Sequence, residues 1–141
     1  MKKQIEIIYR GICDDSTNHF FGEFIYGDLI DFMDGGTYIR MPNYKNNCFR
    51  VNPDTVGQFI GITDINGNKI FKGDYDKNYD VIDWCEKRLG WSLFTYDHPT
   101  KDYIHCNCYR CEGNFEISDI ESEIEIIGNI HNNFQHISKI K

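Results

Sequence analysis

Turn-forming residues interrupt this chain so often that no long helix fits between them. Asp14-Asp15-Ser16-Thr17-Asn18, Asp34-Gly35-Gly36, Asn46-Asn47, Asn66-Gly67, Lys72-Gly73-Asp74 and Gly128-Asn129 all favour reversals. Asn66-Gly67 is the strongest of them, because both residues tolerate positive φ and apolar runs flank the pair. Between the breaks lie short runs that read as strands: 5–9, 20–32, 37–41, 48–51, 80–84, 91–96 and 122–130. In 20–32, Phe21, Ile25 and Leu29 share one parity while Phe24, Tyr26 and Ile30 share the other, so that strand is expected to be covered in part on two sides. Asn52-Pro53-Asp54-Thr55 reads as one helical turn, capped by Asn52 and opened by a Pro whose missing N–H costs nothing there. The aromatic residues are mostly Phe (10) and Tyr (9), flat side chains that suit a pleated surface. The expectation is a mainly β fold with little helix, built as a small barrel or sandwich.

The charge balance removes several function classes. Fifteen Lys and Arg stand against 22 Asp and Glu, a net charge of −7, and Lys2-Lys3 is the strongest basic grouping. Nucleic-acid binders present a basic face to phosphates, so that role is disfavoured. An acidic surface can meet a basic protein partner, or simply keep the chain soluble, which is the commoner case. No run approaches the roughly 20 apolar residues needed to span a bilayer. Charges at Lys2, Lys3 and Glu6 break any secretory core, so the expected compartment is a cytoplasm, with the six cysteines reduced.

Candidate chemistry concentrates in His105-Cys106-Asn107-Cys108-Tyr109-Arg110-Cys111, with Cys85 and His98 upstream. Cys108-x-x-Cys111 has the spacing that lets two thiolates share one tetrahedral ion. Two further ligands would have to come from Cys106 or His105 together with Cys85 or His98, and no second Cys-x-x-Cys supplies them. His105 and Cys106 point oppositely in extended chain, so they would not serve together. The sequence therefore assigns no metal ligand and no cofactor, and the thiols are expected to be reduced loop and core residues. No catalytic residue is assigned either: no local motif joins a Cys to a His, and no phosphate-cradling glycine loop is present. Asp76-Lys77-Asn78-Tyr79-Asp80 lacks the Gly and Glu of a calcium loop. Trp84 and Trp91 are expected to pack across strands in the core. Glu121, Glu123 and Glu125 share parity in the last expected strand and would line one solvated acidic face.

Two stretches carry a resemblance. Val51-Asn52-Pro53-Asp54-Thr55-Val56-Gly57-Gln58-Phe59-Ile60-Gly61 continuing through Asn66-Gly67 to Gly73-Asp74, and Glu125-Ile126-Ile127-Gly128-Asn129-Ile130, resemble the YopX protein family of bacteriophages and prophages. Tyr9-Arg10-Gly11 and 24–29 are similar to that family's opening. The resemblance implies a Src-homology-3-like barrel at 51–141 behind a β-rich lobe at 1–50, and no enzymatic activity. Tyr75-Asp76 departs from the family's apolar pair, which predicts a displaced or shortened strand there. Residues 100–113 read as an insert. The expected role is stoichiometric binding of a host or phage protein, plausibly inhibiting a host defence or other host factor through the acidic surface. A nucleotide-signal sponge using Trp84, Trp91 and converging Arg40, Arg50 or Arg88, or a zinc-stabilised interaction module, is the alternative. Exposed strand edges make a homo-oligomer a further expectation.

Overall fold

The computed structural model describes residues 6–111, 113 and 115–131. Eleven short strands form two antiparallel sheets, so the mainly β class is correct. The chain divides into two compact units, at Gly61/Ile62.

In the first unit, β1 (Tyr9–Ile12), β2 (Phe24–Asp31), β3 (Thr37–Met41), β4 (Asn47–Arg50) and β5 (Gly57–Thr63) lie in the order β4-β3-β2-β1-β5. Ile25, Ile39, Val51 and Cys13 form its buried centre, with Phe20, Leu29 and Phe49 against them. The β2–β3 register opposes Leu29 to Ile39 and Asp28 to Arg40. At Gly27 a Cβ would stand 2.0 Å from the Arg40 carbonyl oxygen, which explains the break in the apolar run. The other parity of β2 is less covered: Tyr26 is exposed, while Arg10 lies over the Phe24 ring at 4.3 Å. The turn at Pro53–Thr55 forms as expected, with the Asn52 side chain accepting from the Asp54 N–H.

The second unit contains β6 (Lys69–Phe71), β7 (Asp74–Asp76), β8 (Val81–Cys85), β9 (Gly90–Asp97), β10 (Asp102–Cys106), the one-turn helix α1 (Ile117–Ile120) and β11 (Ile126–Asn129). Its five-stranded sheet runs β10-β9-β8-β7-β11. Among the described residues β10 and β11 are its open edges, so the pairing does not close a barrel. Tyr75, Val81, Ile82, Leu93 and Ile124 are almost completely buried. Tyr75-Asp76 lies inside β7, a strand of three residues that ends at Asp76 and is buried throughout.

Two pentapeptides, Asp64-Ile65-Asn66-Gly67-Asn68 and Asp76-Lys77-Asn78-Tyr79-Asp80, fold into the same turn. One oxygen of Asp64 accepts the N–H groups of Asn66 and Asn68, and one oxygen of Asp76 accepts those of Asn78 and Asp80. The fourth residue of each has positive φ, +82° at Gly67 and +65° at Tyr79. Both turns then hold the segment leading into β11. The Ile126 N–H donates to the second Asp64 oxygen, Ile65 N–H to the Ile124 carbonyl, and Lys77 N–H to the Glu125 carbonyl. Satisfying backbone donors in this way is what permits the aspartates to be buried, at 6% and 2% exposure.

Several sequence expectations are corrected. Strand β1 starts at Tyr9, and Glu6–Ile8 precede it; Ile5 is outside the described residues. Residues 20–23 are turn, because Asn18 and Phe20 carbonyls close reversals there. The run 122–130 is not one strand: Glu121–Glu123 is a 3-10 turn and pairing begins only at Ile126. The reason is that Glu116 and Asp119 cap α1 reciprocally, which starts a helical path that the next three residues continue. Glu121 and Glu123 are exposed, yet they do not alternate on a strand face. Strand β10 lies in a stretch where no strand is expected.

Asp64→Ala would leave three N–H donors without their acceptor, a loss of about 3 kcal/mol readable in denaturant unfolding. Gly67→Ala has room for its Cβ but not a favourable φ, and should cost about 1–2 kcal/mol. Burial and the neighbouring Asp76 carboxylate raise Asp80 to about 6, with His105 opposing in part. An unfolded Asp titrates at about 3.9, so between those values the folded chain keeps a proton that the unfolded chain has released. This contribution to stability is fullest in acid and is lost as the pH rises through about 6. Asp80→Asn should flatten the fall in stability between about pH 4 and 6; an unaltered slope would refute the assignment.

A buried four-cysteine cage as the candidate site

Strand β8 ends at Cys85, and the chain reverses through 86–89 into β9, with Leu89 at φ 58° and its N–H on the Cys85 carbonyl. On the other side of β9, Cys106 pairs with Phe94 at the end of β10. The Asn107 N–H then donates to Leu93 O, so the chain runs on beside β9 past the formal end of β10. It turns where the N–H groups of Cys111 and Gly113 both reach the Cys108 carbonyl, at 3.0 and 3.3 Å. Gly113 is obligatory for that reversal: a Cβ there would lie 1.7 Å from the Asn107 carbonyl oxygen.

This path gathers Cys85, Cys106, Cys108 and Cys111, whose sulfur atoms all lie within 4.8 Å of one another. Cys85 Sγ is 3.8 Å from Cys108 Sγ and 3.6 Å from Cys111 Sγ. Cys85, Cys106 and Cys108 are buried, and the neighbouring partly buried apolar groups are Phe94 and Cys111 itself. Alternation separates the adjacent candidates as expected. Cys106 enters the cage, whereas the His105 ring lies elsewhere, its buried Nδ1 without a hydrogen-bond partner among the described residues. His98 is not in the cage; its Nε2 is 2.9 Å from the Tyr79 carbonyl oxygen.

The four thiols differ electrostatically. Burial opposes ionisation of Cys85, but the N–H groups of Arg88 and Lys87 and the neighbouring thiols of Cys111 and Cys106 outweigh it and hold Cys85 down to about 7. Burial pushes Cys111 up to about 12, reinforced by its sulfur neighbours, and raises Cys106 as well. The Cys108 backbone N–H opposes that rise at Cys106 in part. Arg88 stands beside the cage and feels the charge of Cys108 and Cys85. Its Nε pairs with Glu116 at 2.7 Å, and Glu116 also accepts the Tyr109 N–H. The Tyr109 hydroxyl in turn donates to Asp119. These bonds tie the β8–β9 loop and the cysteine loop to the start of α1.

The remaining candidates lie outside the cage. Arg40 pairs with Asp28, Arg50 with Asp14 and Arg88 with Glu116, so each guanidinium is engaged by a carboxylate of its own unit. Trp84 and Trp91 do face each other across β8 and β9, edge to face at 5.4 Å, but Trp84 is 42% exposed and is not core. Glu121 and Ser122 instead help line a shallow cleft with Asp64 and Ser118. Lys2-Lys3 and Glu112 lie outside the described residues. A feature not anticipated is a row of ring contacts on the second sheet. Phe94 meets Tyr103 at 5.2 Å, Tyr103 meets Tyr96 at 5.2 Å, Tyr96 meets His98 at 4.7 Å, and His98 meets Tyr79 at 5.7 Å. The alternation of 94, 96 and 98 could have pointed to it; Tyr103 could not, because its place depends on β10.

No helix among the described residues is long and apolar enough to cross a membrane. A search of curated proteins finds no match. The family comparison does: residues 23–137, including the cysteine loop and both aspartate turns, match the YopX protein family, described as "YopX protein". With most of its length accounted for by that match, the chain belongs to the YopX family.

Proposed function

We propose that this chain is a phage- or prophage-encoded accessory protein that acts in the host bacterial cytoplasm by stoichiometric binding, without turnover. The aromatic row on the second sheet is the observation that carries this reading. Tyr79 and Tyr103 are 42% and 44% exposed at either side of the half-buried Tyr96 and His98. Carboxylates accompany the rings: the Tyr103 hydroxyl donates to Asp83, and burial raises the Tyr96 phenol, with the nearby Asp102 charge adding to it. Rigid rings with few rotamers contribute contact area at small entropic cost and are enriched at protein interfaces. Carboxylates at their border favour Lys- or Arg-rich partners through charge and through cation–π contact with the rings.

A basic face on a host protein, such as a nucleic-acid-binding surface of a defence factor, fits that chemistry. Strand β10, which supplies Tyr103, falls inside 100–113, the stretch singled out in the sequence as an insert. Arg40, Arg50 and Arg88, the cations of the nucleotide-sponge alternative, each pair with a carboxylate, which favours the protein-binding reading over it.

Affinity capture from a bacterial lysate, followed by binding measurements on the purified prey, tests the reading. Tyr103→Ala and Asp102→Lys should each weaken a basic prey about tenfold, the scale of a well-placed interface residue. The triple change Glu121→Lys, Glu123→Lys, Glu125→Lys should have a smaller effect. Equal binding by wild type and Tyr103→Ala would reject the aromatic row, and the reverse ranking would move the contact to the glutamate segment.

A further inference from the structure

We infer that Cys85, Cys106, Cys108 and Cys111 form a tetrathiolate zinc site that fastens the β8–β9 loop to the loop following β10. The first support is metric. Zinc–thiolate bonds of about 2.3 Å in a tetrahedron place neighbouring sulfurs about 3.8 Å apart. The Cys85 sulfur stands 3.8 and 3.6 Å from those of Cys108 and Cys111, and the whole set fits within 4.8 Å. A disulfide requires about 2.05 Å between its sulfurs, so these distances describe no such bond. An iron–sulfur cluster places several irons and bridging sulfides between its thiolates, and a set this compact has room for one ion only. Among single ions, tetrahedral all-sulfur coordination favours zinc.

The second support is the surroundings. An ordinary apolar cluster is built from aliphatic and aromatic side chains, but here the buried members are three cysteines, with Phe94 and Cys111 against them. Backbone N–H groups of Lys87 and Arg88 near Cys85, and that of Cys108 near Cys106, favour the thiolate form of those two cysteines. Donors near sulfur stabilise thiolates, and such outer bonds are the usual support of a metal's ligands. The Arg88 guanidinium adds positive charge beside a centre that would carry a net charge of −2 with four thiolates and one Zn²⁺, while Glu116 fixes its position. Sequence spacing leaves the choice of ligands open because one comes from the end of β8, one from the end of β10 more than twenty residues later and two from the loop that follows.

Four protein sulfurs leave no open position for water or substrate, so the ion's role is structural. On binding, each thiol that is still protonated loses its proton to solvent as its sulfur bonds the ion, and no oxidant or reductant is needed.

The full chain, purified without chelator and without an affinity tag that binds metal, should carry one zinc per chain by elemental analysis. Cobalt(II) exchanged into the same protein should give a thiolate-to-cobalt charge-transfer band and the intense visible bands of a tetrahedral site. Cys108→Ser should abolish both signals, whereas Cys48→Ser, a change in the first unit, should leave one metal per chain. Should Cys108→Ser fail to fold, release of one zinc equivalent when wild-type thiols are titrated with a mercurial replaces that comparison. Iron in place of zinc would overturn the assignment. So would metal-free protein that takes up neither zinc nor cobalt, or a thiol count four below six that reports two disulfides.

Discussion

The second unit depends on two buried carboxylates surrounded by backbone N–H groups. Asp64 and Asp76 each close their own turn, and Asp64 also takes the Ile126 N–H that starts β11. Without those donors each charge would face a burial cost that no nearby Lys or Arg offsets by a direct ion pair among the described residues. The two sites nonetheless titrate in opposite directions. At Asp64 burial raises the carboxyl, yet the N–H groups of Ile126, Asn68 and Asn66 outweigh it and the net direction is down. At Asp76 burial dominates over the N–H groups of Asp80 and Asn78, and the net direction is up. The same pentapeptide geometry thus favours the charged carboxylate in one place and the protonated one in the other.

From those turns the rest follows as a sequence of registers. Tyr75 faces Val81, Val81 faces Phe94, and Phe94 faces Cys106, so one line of pairings carries the core from β7 across to β10. A register slip of one residue in β10 would exchange Cys106 for His105 on the cage side. The shift between Tyr103 and His105 matters for this reason, since it sets which of the two neighbours turns inward. The cage and the aromatic row share the same strands, which couples the stiffness of the loops near β8 and β10 to the placement of Tyr103.

The YopX match and the geometry bear on different questions. The family match spans the aspartate turns and the closing Gly128-Asn129, where a Cβ on Gly128 would stand 2.5 Å from the Tyr75 hydroxyl. It does not by itself indicate a partner. The half-exposed rings with their flanking carboxylates define the chemistry a partner would need to have, and the four sulfurs define what would keep that surface in shape.

Local reading of the residues was enough wherever the determining interaction spans a few positions. The Asn52 cap, the Asn66-Gly67 reversal, strands 37–41 and 80–84, and the opposite orientation of His105 and Cys106 all depend on neighbours within about five residues. It failed where a competing local signal overrides alternation or a distant contact decides. Glu121 and Glu123 read as strand by alternation, but capping of α1 by Glu116 and Asp119 carries them into a 3-10 turn. Trp84 and Trp91 were correctly opposed but not buried, since nothing in a strand pattern reveals what covers a sheet face. Composition and turn spacing alone determined that this would be a β protein with paired short strands. Only the tertiary structure could bring Cys85 to Cys106, Cys108 and Cys111, because sheet pairing and the Gly113 reversal set distances that sequence separation does not encode.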